Sequence, residues 1–270
     1  MPHTIAVAGK GGVGKTTTCG MIIDYLVNTN KTPVLVVDAD ANSNLNEVLG
    51  VEAETTLGAI REEMARAELK GTIPSGMTKA DYASVKFNSA LIEEDDYDML
   101  IMGRTQGKGC YCYVNGVLTT LVDKYAKNYK YIVMDNEAGL EHVARGTLPH
   151  VDTMLLISDC SRRGIQAAAR VAEMIRELDL KPGRMGLIVN RAPGGVLSEG
   201  IKEEIAKHDM ELFGVLPQDE GVYDCDSDGT PSSKLPETNP VKQALKGITT
   251  GSMYFIIDRT NLSEYRNHAC

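Results

Sequence analysis

The residues of this chain best suited to chemistry stand near its start, in Gly9-Lys10-Gly11-Gly12-Val13-Gly14-Lys15-Thr16. Their order and spacing satisfy the phosphate-loop pattern, four arbitrary residues between two glycines followed by Lys and a hydroxyl residue. Glycines let successive main-chain amides wrap around phosphate oxygens, so Gly11, Gly12, Val13 and Gly14 are expected to cradle phosphates together with Lys15, Thr16 and Thr17. Lys15 brings positive charge to the terminal phosphates, and the Thr16 hydroxyl suits a magnesium ion. The chemistry is binding of ATP or ADP with Mg2+, and hydrolysis of ATP.

Two acidic strand ends fit the same site. Asp135 closes the apolar run Tyr131 to Met134, where a carboxylate can hold magnesium, and Asp38 and Asp40 follow Val34 to Val37. Alternate residues of an extended chain share a face, so both can turn toward one phosphate site. Asp40 is expected to position or activate the attacking water, with Asp38 as its competitor. Taken singly, an Asp just past a strand is also a common turn residue or helix cap.

These groups need a frame that brings distant strand ends together. Short apolar runs rich in β-branched residues alternate with segments of helical period, the pattern of a parallel sheet joined by crossover helices. Strands are predicted at Thr4 to Ala8, Pro33 to Val37, Met99 to Met102, Tyr131 to Met134, Thr153 to Ser158, Met185 to Val189 and Leu212 to Leu216. Helices are predicted at Lys15 to Asn28, Val117 to Lys127, Ile165 to Leu178 and Glu199 to Lys207, and Asp224 to Asn239 reads as a loop. The phosphate loop falls between a strand and a helix, as its mechanism requires. The fold class is α/β: a single doubly wound, mostly parallel sheet with helices on both faces, in one domain spanning residues 1–270, and ligands belong at the carboxyl edge of its strands.

Composition narrows the partners. With 43% hydrophobic residues in 270, the chain can bury a substantial core. A formal charge of −9 argues against sustained contact with nucleic acid or an anionic membrane, both of which attract basic surface. No apolar run approaches the roughly 20 residues that cross a bilayer. The expected compartment is therefore the cytoplasm, where the six cysteines are read as reduced thiols. Cys19, Cys225 and Cys270 read as structural or incidental, Cys160 as a buried thiol at a strand's carboxyl edge, and His142 as a surface or interface histidine.

Lys10 within the loop, together with Asp38-Ala39-Asp40, resembles the deviant Walker A ATPases, which include division-site, partitioning, arsenite-pump and nitrogenase iron proteins. The resemblance spans most of the chain. It implies an ATP-sandwich homodimer in which Lys10 reaches across to the partner's nucleotide and stabilises the charge of the transferring phosphate. It also implies that Asn190, after Leu187-Ile188-Val189, recognises the adenine edge, and that the loop containing Pro217 and Asp219 covers the base. An amide pairs a donor and an acceptor with that edge, although Asn is also a frequent turn residue.

Within that class, Cys110-Tyr111-Cys112 is distinctive. If the tripeptide is extended, both sulfurs point the same way, yet two thiolates fill only half of a tetrahedral soft-metal site. A two-fold dimer axis would supply the other pair, giving four thiolates for zinc or nickel. The deviant loop and Gly109-Cys110-Tyr111-Cys112-Tyr113-Val114-Asn115 together resemble the CooC type of carbon monoxide dehydrogenase accessory protein and its relatives serving acetyl-CoA synthase. The function implied is ATP-dependent insertion of nickel into the enzyme's metal cluster, with carbon monoxide dehydrogenase as client. The alternative is an ATP-dependent iron-sulfur electron donor resembling the nitrogenase iron protein. That family takes a cluster cysteine from the loop after the second acidic strand, and here Asp135 to His142 contains none, although a C-x-C pair from each subunit also makes four ligands for a cluster.

Overall fold

The computed structural model describes residues 1–104, 111–137 and 150–250. Eight strands form one sheet: β1 (His3–Gly9), β2 (Val34–Asp38), β3 (Ile92–Glu93), β4 (Tyr97–Ile101), β5 (Tyr131–Asp135), β6 (Thr153–Asp159), β7 (Arg184–Ala192) and β8 (Leu212–Pro217), in the order β3-β4-β2-β5-β1-β6-β7-β8. All neighbours pair in parallel except β3, which runs antiparallel to β4 at the edge. The seven predicted strands are present; the two-residue β3 was too short to leave an alternating pattern.

The helices among the described residues are α1 (Lys15–Asn28), α2 (Leu45–Leu49), α3 (Leu57–Lys70), α4 (Lys79–Asn88), α5 (Tyr111–Tyr125), α6 (Arg162–Glu177), α7 (Glu199–Lys207), α8 (Glu220–Asp228) and α9 (Pro240–Thr250). Successive strand residues point to opposite faces, and the core divides accordingly. Ile5, Val7, Val34, Val36, Met99 and Ile101 pack with Ile22, Ile23 and Leu26 of α1 and with Val241, Leu245 and Ile248 of α9. Their strand neighbours Ala6, Ala8, Leu35, Val37, Leu100 and Met102 pack on the other face with α3, α5, α6 and α7, through Ile60, Leu118, Ala168 and Ile201. Both faces of each central strand are thus covered, which is why these strands read as continuous apolar runs.

Two sequence expectations change. Asp224 to Asn239 was read as loop from its Asp, Ser, Pro and Gly content, but Asp224–Asp228 completes α8. The side chain of Asp219 caps this helix by accepting from the Val222 amide at 3.0 Å, and Gly229 ends it at φ 64°. The helix expected from Val117 begins at Tyr111, because the apolar period at Val114, Leu118, Leu121 and Val122 continues toward its start. Cys112 therefore lies in the first turn of α5 rather than in extended chain, and Cys110 lies outside the described residues, as do His142 and Cys270.

Helices α6 and α7 are fastened to each other through one buried carboxylate. Glu204 accepts from Gln166 Nε2 at 2.7 Å and Arg162 Nε at 2.9 Å, with His208 Nε2 at 3.3 Å. The Gln166 hydrogen bond, with those of Arg162 and His208, holds its pKa down at about 2 against the opposing effect of desolvation.

Candidate functional site

The site assembles where β1, β2 and β5 end. The chain leaves β1 at Gly9, with φ 153°, where a side chain would be impossible: a Cβ would lie 2.3 Å from the Ile157 carbonyl oxygen of β6. The following turn reaches α1 through Gly14 at φ 89°, in the left-handed region, and a Cβ there would meet Asn190 Nδ2 at 2.4 Å. The first turn of α1 holds no acidic residue, so its unpaired amides and the positive end of its dipole remain available to an anion.

A cavity of about 530 Å³ opens over this turn. Gly11, Gly12, Gly14, Lys15, Thr16, Thr17 and Asp40 line it, so most of the residues expected to handle phosphate share one space. Lys15 is only 7% exposed, and its Nζ donates to the Lys10 carbonyl at 3.3 Å, which folds the ammonium back into the loop. Val13 points its side chain into the core, and its carbonyl faces Asn190. Lys10 is exposed and does not line the cavity, as a residue reaching outward would be placed.

The two strand-end carboxylates sit side by side, because Asp38 and Asp135 are register partners on β2 and β5. Both are fully buried. Burial, followed by repulsion from Asp135, pushes the Asp38 carboxyl up to about 7, while the amides of Asp40 and Leu45 oppose the rise. Burial pushes Asp135 to about 6, against the Thr16 hydroxyl and the Lys15 charge. Two raised carboxyls so close favour a shared proton or a cation.

Asp38 and Asp40 part company here. The Asp38 side chain accepts from the Asp40 amide at 3.0 Å and the Leu45 amide at 3.1 Å, bracing the turn from beneath. Asp40 lines the cavity instead, and Asp38 does not. Behind the loop, Asp135 Oδ1 is buried with no hydrogen-bond partner among the described residues. An orphaned carboxylate oxygen beside a Thr hydroxyl is an oxygen donor set that fits magnesium.

The expected base-binding residues stand differently. Asn190 is 9% exposed, with its Nδ2 donating to the Val13 carbonyl at 2.9 Å and its Oδ1 accepting from the Arg191 amide at 2.9 Å. Its amide thus ties β7 to the phosphate loop. Asp219 caps α8 and also accepts from Asn239 Nδ2 at 2.8 Å, and Pro217 ends β8; neither lines the cavity. Among the described residues no group of three or more His, Cys, Asp or Glu side chains is placed to hold a metal ion.

Sequence reasoning missed other lining groups: Arg191, Asn42, Asn44 and Glu47, and a wall from Val222, Cys225, Asp226 and Thr230. Arg191 Nη1 donates to the Gly12 carbonyl at 3.2 Å. Its position directly after Asn190 at a strand end was a usable signal. The α8 wall was hidden because its segment read as loop.

A model of the CobQ/CobB/MinD/ParA nucleotide-binding domain matches residues 4–232. The chain belongs to this family. In coarse terms it is a MinD/ParA-type P-loop ATPase, for which nucleotide with magnesium is the expected ligand. An uncharacterised ATP-binding protein of Methanocaldococcus jannaschii is 42% identical over 245 residues, 90% of this chain and 96% of that protein. The carbon monoxide dehydrogenase accessory protein CooC of Rhodospirillum rubrum is 29% identical over 248 residues, 83% of this chain and 87% of CooC. In structure, the septum site-determining protein MinD of Pyrococcus horikoshii, solved with Mg-ADP, superposes with a TM-score of 0.67 at 19% identity, covering 96% of this chain and all of that one. This MinD/ParA family likeness confirms the single, mostly parallel sheet with helices on both faces. No described helix is long and apolar enough to cross a membrane.

Proposed function

We propose that this protein is an ATP-hydrolysing metallochaperone: a homodimer that binds ATP, captures a divalent metal as cargo and assists nickel insertion into the metal cluster of carbon monoxide dehydrogenase. The observation that carries the ATPase half is that Gly11, Gly12, Gly14, Lys15, Thr16 and Thr17 of the phosphate loop share one cavity with Asp40. Backbone amides of Gly11 to Gly14 and the Lys15 ammonium bind the phosphates, and Asp40 orients the water that attacks the terminal phosphorus, releasing ADP and phosphate. Thr16 and Asp135 are the residues that would hold magnesium, whose charge would offset that of the phosphate oxygens. Exposed Lys10 adds a cation from the partner subunit to the phosphate being transferred.

The cargo half rests on Cys110-Tyr111-Cys112 and on the likeness to CooC across most of both chains. Cys110 and Cys112 from two subunits supply four thiolates, enough for one nickel or zinc ion. Closing the dimer with ATP would gather the thiolates and hydrolysis would part them, since metal binding and dimer geometry are linked equilibria.

The test is metal and sulfide content of anaerobically purified, nickel-loaded protein, with and without ATP, alongside its mass in solution. About one nickel or zinc per dimer without sulfide, lost in Cys112→Ser while nucleotide binding persists, is the expected result. Equal metal stoichiometry in Cys112→Ser, or about four irons and four sulfides per dimer, would overturn the cargo assignment.

A further inference from the structure

Asp40 sits on a partly exposed turn, where its carboxylate is free to rotate unless something holds it. The holding group is Asn42. Its backbone amide donates to Asp40 Oδ1 at 2.7 Å and its side-chain Nδ2 donates to the same oxygen at 3.1 Å. Among the described residues the other oxygen, Oδ2, makes no hydrogen bond.

A side-chain amide can present either of its ends, so Asn42 needs an orienting partner of its own. Arg104 provides it: the guanidinium Nη2 donates to Asn42 Oδ1. Arginine has donors only, so this contact selects the oxygen and leaves the Asn42 Nδ2 facing Asp40. The Arg104 backbone is in turn fixed against the start of α3. A Cβ on Gly58 would lie 2.3 Å from the Arg104 carbonyl oxygen, and one on Gly103 would lie 2.3 Å from Thr56 Oγ1. The Gly58 amide also donates to the Met102 carbonyl at 2.8 Å, and the Met102 amide to the Asp38 carbonyl at 2.8 Å. The end of β4 is thus clamped between β2 and α3, and the guanidinium extends from a fixed base.

We propose that Arg104 and Asn42 are positioning residues for ATP hydrolysis: the relay Arg104 to Asn42 to Asp40 pins one carboxylate oxygen and leaves the other for the attacking water. The inference rests on the hydrolytic role proposed for Asp40. It adds a residue just past the end of β4, outside the phosphate-loop motif, to the machinery that sets turnover.

Steady-state hydrolysis of Mg-ATP by the full chain tests it, with Arg104→Ala, Asn42→Ala, the double variant, Arg104→Lys and Asp40→Ala measured in parallel. Affinity for a fluorescent ATP analogue and the thermal midpoint are read on the same samples. Loss of one orienting hydrogen bond should lower kcat about fivefold to tenfold in each single variant, with KM and affinity within about twofold. The double variant should be no slower than the slower single one, because the residues act through one contact chain. Arg104→Lys should recover part of the loss, since an ammonium still donates to the amide oxygen. Wild-type kcat in either single variant, a loss shared equally by affinity, or losses that multiply in the double variant would overturn the relay. Slow Asp40→Ala with normal Arg104→Ala and Asn42→Ala would sink the relay alone, whereas normal turnover of Asp40→Ala would remove the hydrolytic role beneath it.

Discussion

Lys15 and Asp40 line the same cavity, and the proposed mechanism has them act on different states of the reaction, so substitutions should separate them. The Lys15 ammonium stands within the loop, so it meets the nucleotide in the ground state as well as in transit. Lys15→Ala should weaken ATP binding by roughly 10- to 100-fold, the cost of a charge-assisted contact, as measured by titration with a fluorescent analogue. In the proposed mechanism Asp40 contributes when water attacks. Asp40→Ala should lower kcat on the order of 100-fold while leaving affinity within a few-fold, and normal turnover would show that another group orients the water. At Gly14 the constraint is steric: the left-handed φ and the contact with Asn190 both refuse a side chain. Gly14→Ala should therefore lose stability and nucleotide affinity together.

Between elements, the α6 to α7 junction gives a prediction about acid stability. Glu204 is held near 2 in the fold, below its ordinary 4.5, so it contributes stability above pH 4.5 that is lost as pH falls toward 2. Asp38 works in the opposite sense: its carboxyl is raised from 3.8 to about 7, so its contribution is complete below 3.8 and lost as pH rises through 7. The two windows meet only between pH 3.8 and 4.5. Glu204→Gln should flatten only the acid limb of a plot of thermal midpoint against pH, and a change above pH 5 would refute the clamp. The helices themselves were unequally legible in sequence. The central strands could be read because burial on both faces leaves unbroken apolar runs such as Val34 to Val37, and the phosphate loop because its glycines answer to backbone contacts at fixed spacing. Helix α8 could not, because only Val222 and Cys225 pack against the core and no residue is fully buried, so the Asp219 cap and the Gly229 stop mark its ends without a strong apolar stripe between them. For the same reason its contribution to the cavity wall went unseen, and the Asp219 assignment to the base met a residue already engaged in capping. Asp40 over Asp38 was a choice spacing alone left open; the Leu45 amide engages Asp38 while Asp40 lines the cavity, which favours Asp40 for the proposed role.

For the whole molecule, exposed Lys10 is not among the described residues that line the cavity of its own chain. Lys10→Ala should therefore leave ATP affinity of the monomer unchanged within about threefold and abolish ATP-dependent dimerisation in sedimentation, if the cation acts across the two-fold axis. Retained dimerisation would confine Lys10 to its own subunit. Cys19, on the opposite side of the loop, is wholly buried, and burial, then the charges of Asp135 and Asp38, push its thiol well above the ordinary range. It is shielded from alkylating reagents by both geometry and protonation for as long as α1 stays seated on the sheet. Each opening of that seat exposes it. The rate at which Cys19 takes up a mass tag, read peptide by peptide, is therefore a clock for the breathing of the phosphate-binding end, and bound nucleotide should lower the logarithm of that rate in proportion to the opening free energy that it adds.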